Sequence, residues 1–295
     1  MGTFTLDGKV YEQNEIEFLP DPVETAADQI LLAKWVIRNL AYQWGLDVTF
    51  APKIIVGEAG SGMHIHMRIM NDGRNCMTEG GEISEVARRA IAGMMVLAPS
   101  ITAFGNKNPT SFFRLVPHQE APTNVCWGDC NRSALVRVPL GWRGGRSLAA
   151  LANPLEPDTT IESLKQTVEM RSPDGSADIY QLMAALCVAC RYGLELDPKT
   201  ALALADEKYV ALDIHKKEGE AVLARLDALP ASCAASADSL EKVRQIYESC
   251  GVFSPRMIDG VLHALRAFGD ADLHKRVDAD ASLMKEYVDK FFYCG

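Results

Sequence analysis

Strict alternation of apolar and polar residues predicts strands at residues 15–18, 63–70, 133–138 and 167–171. Successive side chains on a strand point to opposite faces, so each segment divides into an apolar face and a polar face. The apolar faces carry Ile16 and Phe18, Met63 to Ile69 at every second position, Val136, and Val168 with Met170. We therefore expect these strands to cover a core with one side and to leave the other side open.

Apolar residues at helical spacing predict helices in the rest of the chain. The first helix begins at Asp21-Pro22, an N-cap followed by proline at the first helical position, and ends at Gly45. Further segments with this spacing lie at 84–97, 177–194, 237–250 and 254–268, so the last hundred residues are mainly helical. We find no internal repeat and no linker, which favours a single domain over residues 1–295 that mixes strands and helices.

Composition narrows the classes of partner. The chain has 295 residues, 48% of them hydrophobic, and its net charge of -9 argues against a general binder of nucleic acid or of anionic membranes. No apolar segment reaches the ~20 residues that span a bilayer. Eight cysteines without an apolar signal sequence indicate the reducing cytoplasm. Cys187 and Cys190 form a C-x-x-C inside an apolar helical run, and we expect both to be small buried residues.

The polar faces of the predicted strands share one chemistry. They carry carboxylates, imidazoles and guanidinium groups, namely Glu15, Glu17, His64, His66, Arg68, Arg137, Glu169 and Arg171. Carboxylates and neutral imidazole are suitable ligands for Mg2+ or Mn2+, and arginine binds phosphate through paired hydrogen bonds. If the strands share a sheet, nucleotide phosphoryl chemistry is one interpretation. The other is a solvated polar face, which antiparallel sheets often have.

A local basic region gives a second indication. Between residues 107 and 147 there are six lysines and arginines and two acidic residues, within a chain that is acidic overall. A basic pocket for an anionic substrate and a solvated loop surface both explain this balance. The glycine-rich stretch from Gly57 to Gly62 would let the backbone approach a phosphate, but it lacks the lysine and hydroxyl residue of a P-loop.

Four sequence blocks carry a family resemblance. Ala51-Pro52-Lys53, followed by Gly60-Ser61-Gly62-Met63-His64-Ile65-His66, resembles the signature of the glutamine synthetase family. Three later blocks resemble the family in the same order: Asn108-Pro109 with Arg114-Leu115-Val116-Pro117 and Glu120-Ala121-Pro122, then Asn131-Arg132-Ser133-Ala134 with Arg137, then Glu169-Met170-Arg171-Ser172-Pro173-Asp174. Together the blocks cover about residues 13 to 195.

The resemblance implies a fold and a reaction. The fold is α+β, a curved and mainly antiparallel sheet backed by helices, with a helical C-terminal third. The reaction is that of an ATP-dependent ligase. It activates the γ-carboxylate of glutamate, or of a related amino acid, as an acyl phosphate that ammonia or an amine attacks. The resemblance also implies Mg2+ or Mn2+ as cofactor and a homo-oligomer as the assembly.

The resemblance further assigns roles to individual residues. His64, Glu169 and Glu15 are metal ligands, and Arg114 and the backbone of Gly60 bind the amino acid substrate. Arg132 and Arg137 neutralise the phosphates with help from Arg171, His66 lies beside the nucleotide, and Glu120 closes over the site. The open-face pattern of the strands points to Glu15, His64, Arg137, Glu169 and Arg171 independently of the resemblance.

Departures from the family pattern keep a second interpretation open. The sequence has no counterpart of the family's N-terminal β-grasp domain or of the strands that supply further acidic metal ligands. Ala59, His118-Gln119 and Arg68 also replace residue types that are usual at those positions. The alternative is a non-catalytic or truncated module of the family that binds nucleotide or serves assembly.

Overall fold

The computed structural model describes residues 2–6, 8–55, 58, 60–117, 121–140, 152–153, 155, 165–249, 251–280 and 282–295. Its strands are β1 Thr3–Leu6, β2 Lys9–Glu12, β3 Ile65–Met67, β4 Met70–Asn71, β5 Arg74–Asn75, β6 Thr78–Glu79, β7 Glu82–Ile83, β8 Trp127–Asp129, β9 Val136–Val138 and β10 Val168–Met170. Its helices are α1 Val23–Gln43, α2 Glu85–Gly105, α3 Pro109–Arg114, α4 Ile179–Glu195, α5 Pro198–Glu207, α6 Glu220–Leu223, α7 Cys233–Ser249, α8 Pro255–Arg266, α9 Leu273–Ala279 and α10 Ser282–Lys290, with a 3-10 turn at Lys217–Gly219.

Helix α2 lies at the centre of the core. It begins at Ser84, whose hydroxyl accepts a hydrogen bond of 3.0 Å from the backbone N–H of Ala87. Most of its length after Arg89 is buried, because its alanine, isoleucine, methionine and leucine residues leave no exposed polar face there. Helices α4, α5, α7 and α8 pack around it, and all four come from the C-terminal half of the chain.

Two glycines set the distance between α2 and α4. A Cβ at Gly93 would overlap the carbonyl oxygen of Ala189, and one at Gly193 would overlap the carbonyl oxygen of Arg89. The backbones of the two helices therefore touch at this crossing. Only glycine on both sides permits such an approach.

The central sheet has the strand order β3-β10-β9-β8. Strand β10 pairs antiparallel with β3 on one side and with β9 on the other, while β8 and β9 run parallel. Ile65, Val136, Val138, Val168 and Met170 turn toward the core and are buried. Met63, Met67 and Ile69 also pack against it, so the predicted apolar face of residues 63–70 is confirmed.

The loop after β10 is fastened to the C-terminal end of α2. The side-chain amide of Asn106 donates to the carbonyl oxygen of Ser172 at 2.8 Å and to the Asp174 carboxylate at 2.7 Å. Helix α1 packs on α4, and its buried Lys34 donates a hydrogen bond of 2.9 Å to the carbonyl oxygen of Gly175 in the same loop. The exit of β10 is thus held from two sides.

Most elements that the sequence predicts are present. The α+β fold and the helical C-terminal third are confirmed, and the predicted helices correspond to α1, α2, α4, α7 and α8. Strands β3, β9 and β10 lie within the predicted segments, whereas the parallel pairing of β8 with β9 departs from an otherwise antiparallel arrangement. Small two-stranded sheets, β1-β2, β4-β5 and β6-β7, complete the fold.

Three local predictions are wrong. Residues 13–22 contain no strand, so the polar residues at 15 and 17 do not belong to the central sheet. The N-cap of α1 is Pro22 rather than Asp21, whose carboxylate accepts a hydrogen bond of 2.7 Å from Gln29. Cys187 is exposed, while burial raises the pKa of the neighbouring Cys190 thiol to about 12. The seven cysteines within the described ranges are free thiols.

Within the described ranges, no single helix combines the length and apolar character needed to cross a membrane. Helices α4 and α5 pass that test only as a pair, by length and composition, and the pair is bent by 119°.

The helix crossing yields a stability prediction. Gly193→Ala places a methyl group against the backbone of Arg89 and should destabilise the chain by about 3 kcal/mol or more, since overpacking a close contact between two backbones cannot be relieved by a rotamer change. Gly260→Ala in α8 is the matched control, because a Cβ there meets no atom within 4 Å and alanine is the better helix former. Chemical denaturation of both variants measures the difference; equal stability would contradict the proposed contact.

Candidate active site

Glu169 lies at the centre of the polar face of the sheet. Strand β10 is flanked by β3 and β9, and the register sets Glu169 opposite His66 on one side and Arg137 on the other. Its side chain is only 1% exposed. The carboxylate lies 2.9 Å from His64 Nδ1, 2.6 Å from Arg137 Nε and 3.6 Å from Arg171 Nε. The sheet therefore gathers one buried anion and three cationic or basic groups.

The charges around Glu169 keep its carboxylate ionised. Burial alone raises the pKa of a carboxyl group. Here the close contact with His64 and the positive charges of His64, Arg137 and His66 outweigh burial, and the pKa of Glu169 falls below its ordinary value of 4.5. The carboxylate oxygens are held by charge rather than by well-aligned hydrogen bonds with described residues. They consequently keep lone pairs that a further cation can use.

The surroundings of His66 favour its neutral form. The ring reaches solvent at the surface of the site, yet the protein around it lowers its pKa from 6.5 chiefly by desolvation. Glu169 and Glu17 oppose this shift, while Arg137 and His64 add to it. Its Nδ1 lies 3.1 Å from the hydroxyl oxygen of Thr167, the residue directly before β10. A neutral imidazole with one nitrogen so engaged leaves Nε2 for a ligand.

Two buried arginines are tied to the main chain. Arg171 donates through Nη1 to the carbonyl oxygens of Arg132 and Ala134, the latter at 3.3 Å. Arg114, at the end of α3, donates to the carbonyl oxygens of Ser172 at 2.7 Å and Arg171 at 3.0 Å. These bonds connect α3, the end of β10 and the segment before β9.

Glycines 60 and 62 let a loop lie directly on Arg114. A Cβ at Gly60 would stand 2.5 Å from the Pro52 carbonyl oxygen and 2.8 Å from Arg114 Cγ. At Gly62 it would overlap the guanidinium of Arg114 and lie 3.1 Å from His64 Nε2. From the other side, the Gln13 side-chain amide donates to the Gly60 carbonyl oxygen at 3.3 Å and to the Ser61 hydroxyl at 3.2 Å. The loop is thereby pinned between residue 13 and α3.

The structure brings together most of the residues singled out in the sequence. His64, His66, Arg137, Glu169 and Arg171 share one neighbourhood, and Gly60 and Arg114 border it. Arg132 adjoins it through its carbonyl oxygen, with its side chain exposed.

One of the predicted site residues makes no contact with this cluster within the described chain. Glu15 is exposed on the extended segment 13–22, and within the described chain no ion pair or hydrogen bond connects it to the other site residues. Glu120 lies outside the described residues. Their roles as metal ligand and as closing residue therefore stay predictions.

Two contributors to the site were not assigned a role from the sequence. Glu17, not Glu15, is the carboxylate of its segment whose charge acts on His66. Thr167 contacts His66 from the position directly before β10. The alternation of acidic residues after Asn14 gives equal weight to Glu15 and Glu17. Only the path of the segment distinguishes them.

The donor set fits a divalent cation only in part. His64 and Glu169 are an imidazole and a buried carboxylate side by side, and Mg2+ commonly binds through one or two protein ligands with water and substrate phosphates at the other positions. No group of three or more histidine, cysteine, aspartate or glutamate side chains suited to a metal occurs among the described residues. Among the described residues, His64 and Glu169 are therefore the two side chains whose chemistry suits a divalent cation.

Comparisons with known proteins point to one family. The family model described as "Glutamine synthetase, catalytic domain" matches residues 8–267. The chain is 34% identical over 241 residues to a glutamine synthetase of Pyrococcus abyssi, covering 81% of this chain and 49% of the relative. It is 32% identical over 264 residues to one of Mycolicibacterium smegmatis, covering 87% of this chain and 50% of the relative. The chain therefore spans about half the length of these curated relatives.

A solved structure shares the fold. The protein described as "Apo GmaS without ligand" superposes with a TM-score of 0.63 at 23% identity, over 86% of this chain and 51% of that protein. At 23% identity, this similarity supports a shared fold and nothing further.

The electrostatics of His66 predict that two substitutions shift its pKa in opposite directions. In the folded chain we expect the His66 ring to titrate below 6.5. Glu169→Gln removes an anion and should lower that pKa further, whereas Arg137→Gln removes a cation and should raise it. NMR titration of the carbon-bound protons of the imidazole ring measures the His66 pKa in the unmodified chain and in both variants. The distant Glu241→Gln is the control. Shifts of the same sign in both variants would contradict the described cluster.

Proposed function

The chain belongs to the glutamine synthetase family, and from that membership we propose that it is the catalytic portion of an ATP-dependent carboxylate–amine ligase. The proposed reaction transfers a phosphoryl group from ATP to the γ-carboxylate of glutamate or a related amino acid. Ammonia or an amine then attacks the acyl phosphate and phosphate leaves. The chain covers about half of its relatives, so substrates and activity are parts of the proposal.

The observation that carries the proposal is the buried, ionised Glu169 among His64, Arg137 and Arg171. Burying a carboxylate is unfavourable unless cations surround it. A solvated polar face would place these side chains in water, each with its own partner. The shared buried cluster instead resembles a site prepared for charged substrates, where fixed charges act on an anion without reorganising.

Arg132 and Arg137 are proposed to bind the nucleotide phosphates. The Arg132 side chain is exposed at the edge of the cluster, and Arg137 is 23% exposed, so both can reach a ligand from solvent. Guanidinium groups bind phosphate oxygens through charge-assisted, often paired hydrogen bonds. His66, neutral and beside Arg137, is proposed to contact the nucleotide next to them.

His64 and Glu169 are proposed to hold the divalent cation, Mg2+ or Mn2+. The cation, when bound, neutralises phosphate charge and orients the phosphates. The chain's own part is to keep Glu169 ionised at neutral pH and His64 Nδ1 directed at it. Glu15 remains a proposed further ligand, on the exposed segment whose Glu17 acts on His66.

Arg114 and Gly60 are proposed to bind the amino acid substrate. Arg114 is 4% exposed, and its terminal nitrogens are anchored on the carbonyls of Ser172 and Arg171. Arg171 supports the site by fixing the backbone of Arg132 and Ala134. Glu120 is proposed to close the site and exclude water, which would hydrolyse an acyl phosphate.

A second candidate is a nucleotide-binding or assembly module without ligase activity. It is favoured by the exposure of Glu15, which makes no contact with the cluster within the described chain. Both candidates require nucleotide binding at the arginines. Only the ligase requires amide formation.

Nucleotide binding gives the first test. Arg132→Ala should weaken Mg-ATP binding about tenfold or more, because a hydrogen bond to a charged group contributes about 1.5–3 kcal/mol and each 1.4 kcal/mol corresponds to about tenfold. Arg256→Ala removes an exposed arginine from α8 and should leave the affinity unchanged. Calorimetric titration at two salt concentrations and with or without Mg2+ measures these effects. Equal affinities for the two variants would contradict the assignment.

Catalysis gives the second test. With glutamate, Mg-ATP and either ammonia or methylamine, we expect slight turnover by this chain alone, because two protein ligands hold a metal weakly and loss of even a supporting group near a metal typically costs about 10- to 100-fold. Chromatographic measurement of the amide product and of released phosphate decides the outcome. Glu169→Gln should abolish any turnover. Binding of Mg-ATP with no amide from either amine would favour the second candidate.

A further inference from the structure

A cleft of about 590 Å³ lies between α1 and the start of α4. Its volume is in the range of small-molecule sites, which measure about 300–1,000 Å³. Two kinds of side chain share its lining: the cations Lys34, Arg38 and Lys107, and the largely apolar Leu31, Trp35 and Tyr180. The cleft therefore presents positive charge and an apolar surface side by side.

The three cations are partly withdrawn from water. Lys34 is 8% exposed, and burial, together with the charge of Arg38, lowers the pKa of its ammonium group. Burial also lowers the pKa of Lys107, although the charge of Asp178 opposes this shift. The Nη2 atom of Arg38 is buried and has no hydrogen-bond partner among the described residues. Such desolvated cations are unfavourable unless an anion compensates them.

No carboxylate of the described chain forms an ion pair with any of these three cations. Asp178 is the N-cap of α4, and its carboxylate accepts a hydrogen bond from the first turn of that helix. Asp174 is buried and accepts a hydrogen bond of 2.7 Å from Asn106. Gly295 also lines the cleft without such a pair. By contrast, the exposed Arg266 pairs with two carboxylates of α7.

We propose that this cleft binds an organic anion that joins a phosphate or carboxylate group to a flat apolar group. Arg38 and Lys107 hold the oxyanion, since guanidinium and ammonium groups donate charge-assisted hydrogen bonds to such oxygens. The apolar group packs on Trp35, which is 65% exposed, and on Leu31. The residues proposed for nucleotide, metal and amino acid do not line the cleft, so the proposal is independent of the ligase reaction.

Phenyl phosphate is the probe for the test, because it combines both chemistries in one small molecule. Calorimetry on the whole chain, together with the NMR signal of the Trp35 indole N–H, should show saturable binding with a Kd of about 1 mM or lower. Inorganic phosphate should bind about tenfold more weakly, because it buries no apolar surface. Phenol, which is neutral, should leave the Trp35 signal unchanged at the same concentrations. Benzoate in a parallel titration shows whether a carboxylate or a phosphate is preferred.

Substitutions assign the binding to the cleft. Arg38→Gln and Lys107→Gln should each weaken phenyl phosphate binding about tenfold, as expected for loss of a hydrogen bond to a charged group. Lys199→Gln removes an exposed cation from α5 and is the matched control. Arg132→Ala, which is expected to weaken Mg-ATP binding, should also leave the phenyl phosphate affinity unchanged.

Three outcomes would overturn the proposal. One is a Trp35 signal that does not shift up to about 20 mM phenyl phosphate. The second is binding that Arg132→Ala weakens and both cleft variants leave unchanged, which would place the anion among the arginines of the nucleotide site. The third is equal affinity for phenyl phosphate and inorganic phosphate. Because Arg38 lies 5.0 Å from the centre of the Phe50 ring, thermal unfolding checks the fold of Arg38→Gln, and Lys107→Gln provides an independent test.

Discussion

The burial of one negative charge constrains the rest of the site. Removing a carboxylate from water costs several kcal/mol unless neighbouring cations compensate. Glu169 meets that requirement only because β10 runs between β3, which brings His64 and His66, and β9, which brings Arg137. The strand order therefore determines which charged side chains surround Glu169. A different neighbour on either side would leave the carboxylate without its counter-charge.

A second layer of the site is built from main-chain contacts. Arg114 and Arg171 donate hydrogen bonds to carbonyl oxygens of residues that are distant in sequence. The loop lies against Arg114 because Gly60 and Gly62 have no side chains. These bonds fix where the loop, α3 and the segment before β9 stand relative to one another. Arg114, which is proposed to bind the substrate, thus also holds the backbone after β10.

The sequence predicts the strands that bury an apolar face better than the connections between them. Alternation identifies β3, β9 and β10 because their apolar residues have a core to cover. The same pattern at residues 15–18 does not correspond to a strand. Alternation alone does not show whether a partner strand is present, and within the described chain no strand pairs with this segment. The parallel pairing of β8 and the carbonyl contacts of Arg171 depend on chain path, which no local pattern encodes. The family resemblance supplies residue roles and assigns one to Glu15, whereas Glu17 is the carboxylate whose charge acts on His66.

The enclosure of α2 has a consequence for biosynthesis. Among the described helices, those that pack most on α2 are α4, α5, α7 and α8, and all four are translated after it; the first of them begins at Ile179, 74 positions beyond Gly105. At roughly 5–20 residues per second, this largely apolar helix waits on the order of 4 to 15 s for the first of these four. During that interval the nascent chain presents the surface that chaperones recognise. The order of the elements along the chain, and not only their final packing, thus determines how long α2 is exposed during synthesis.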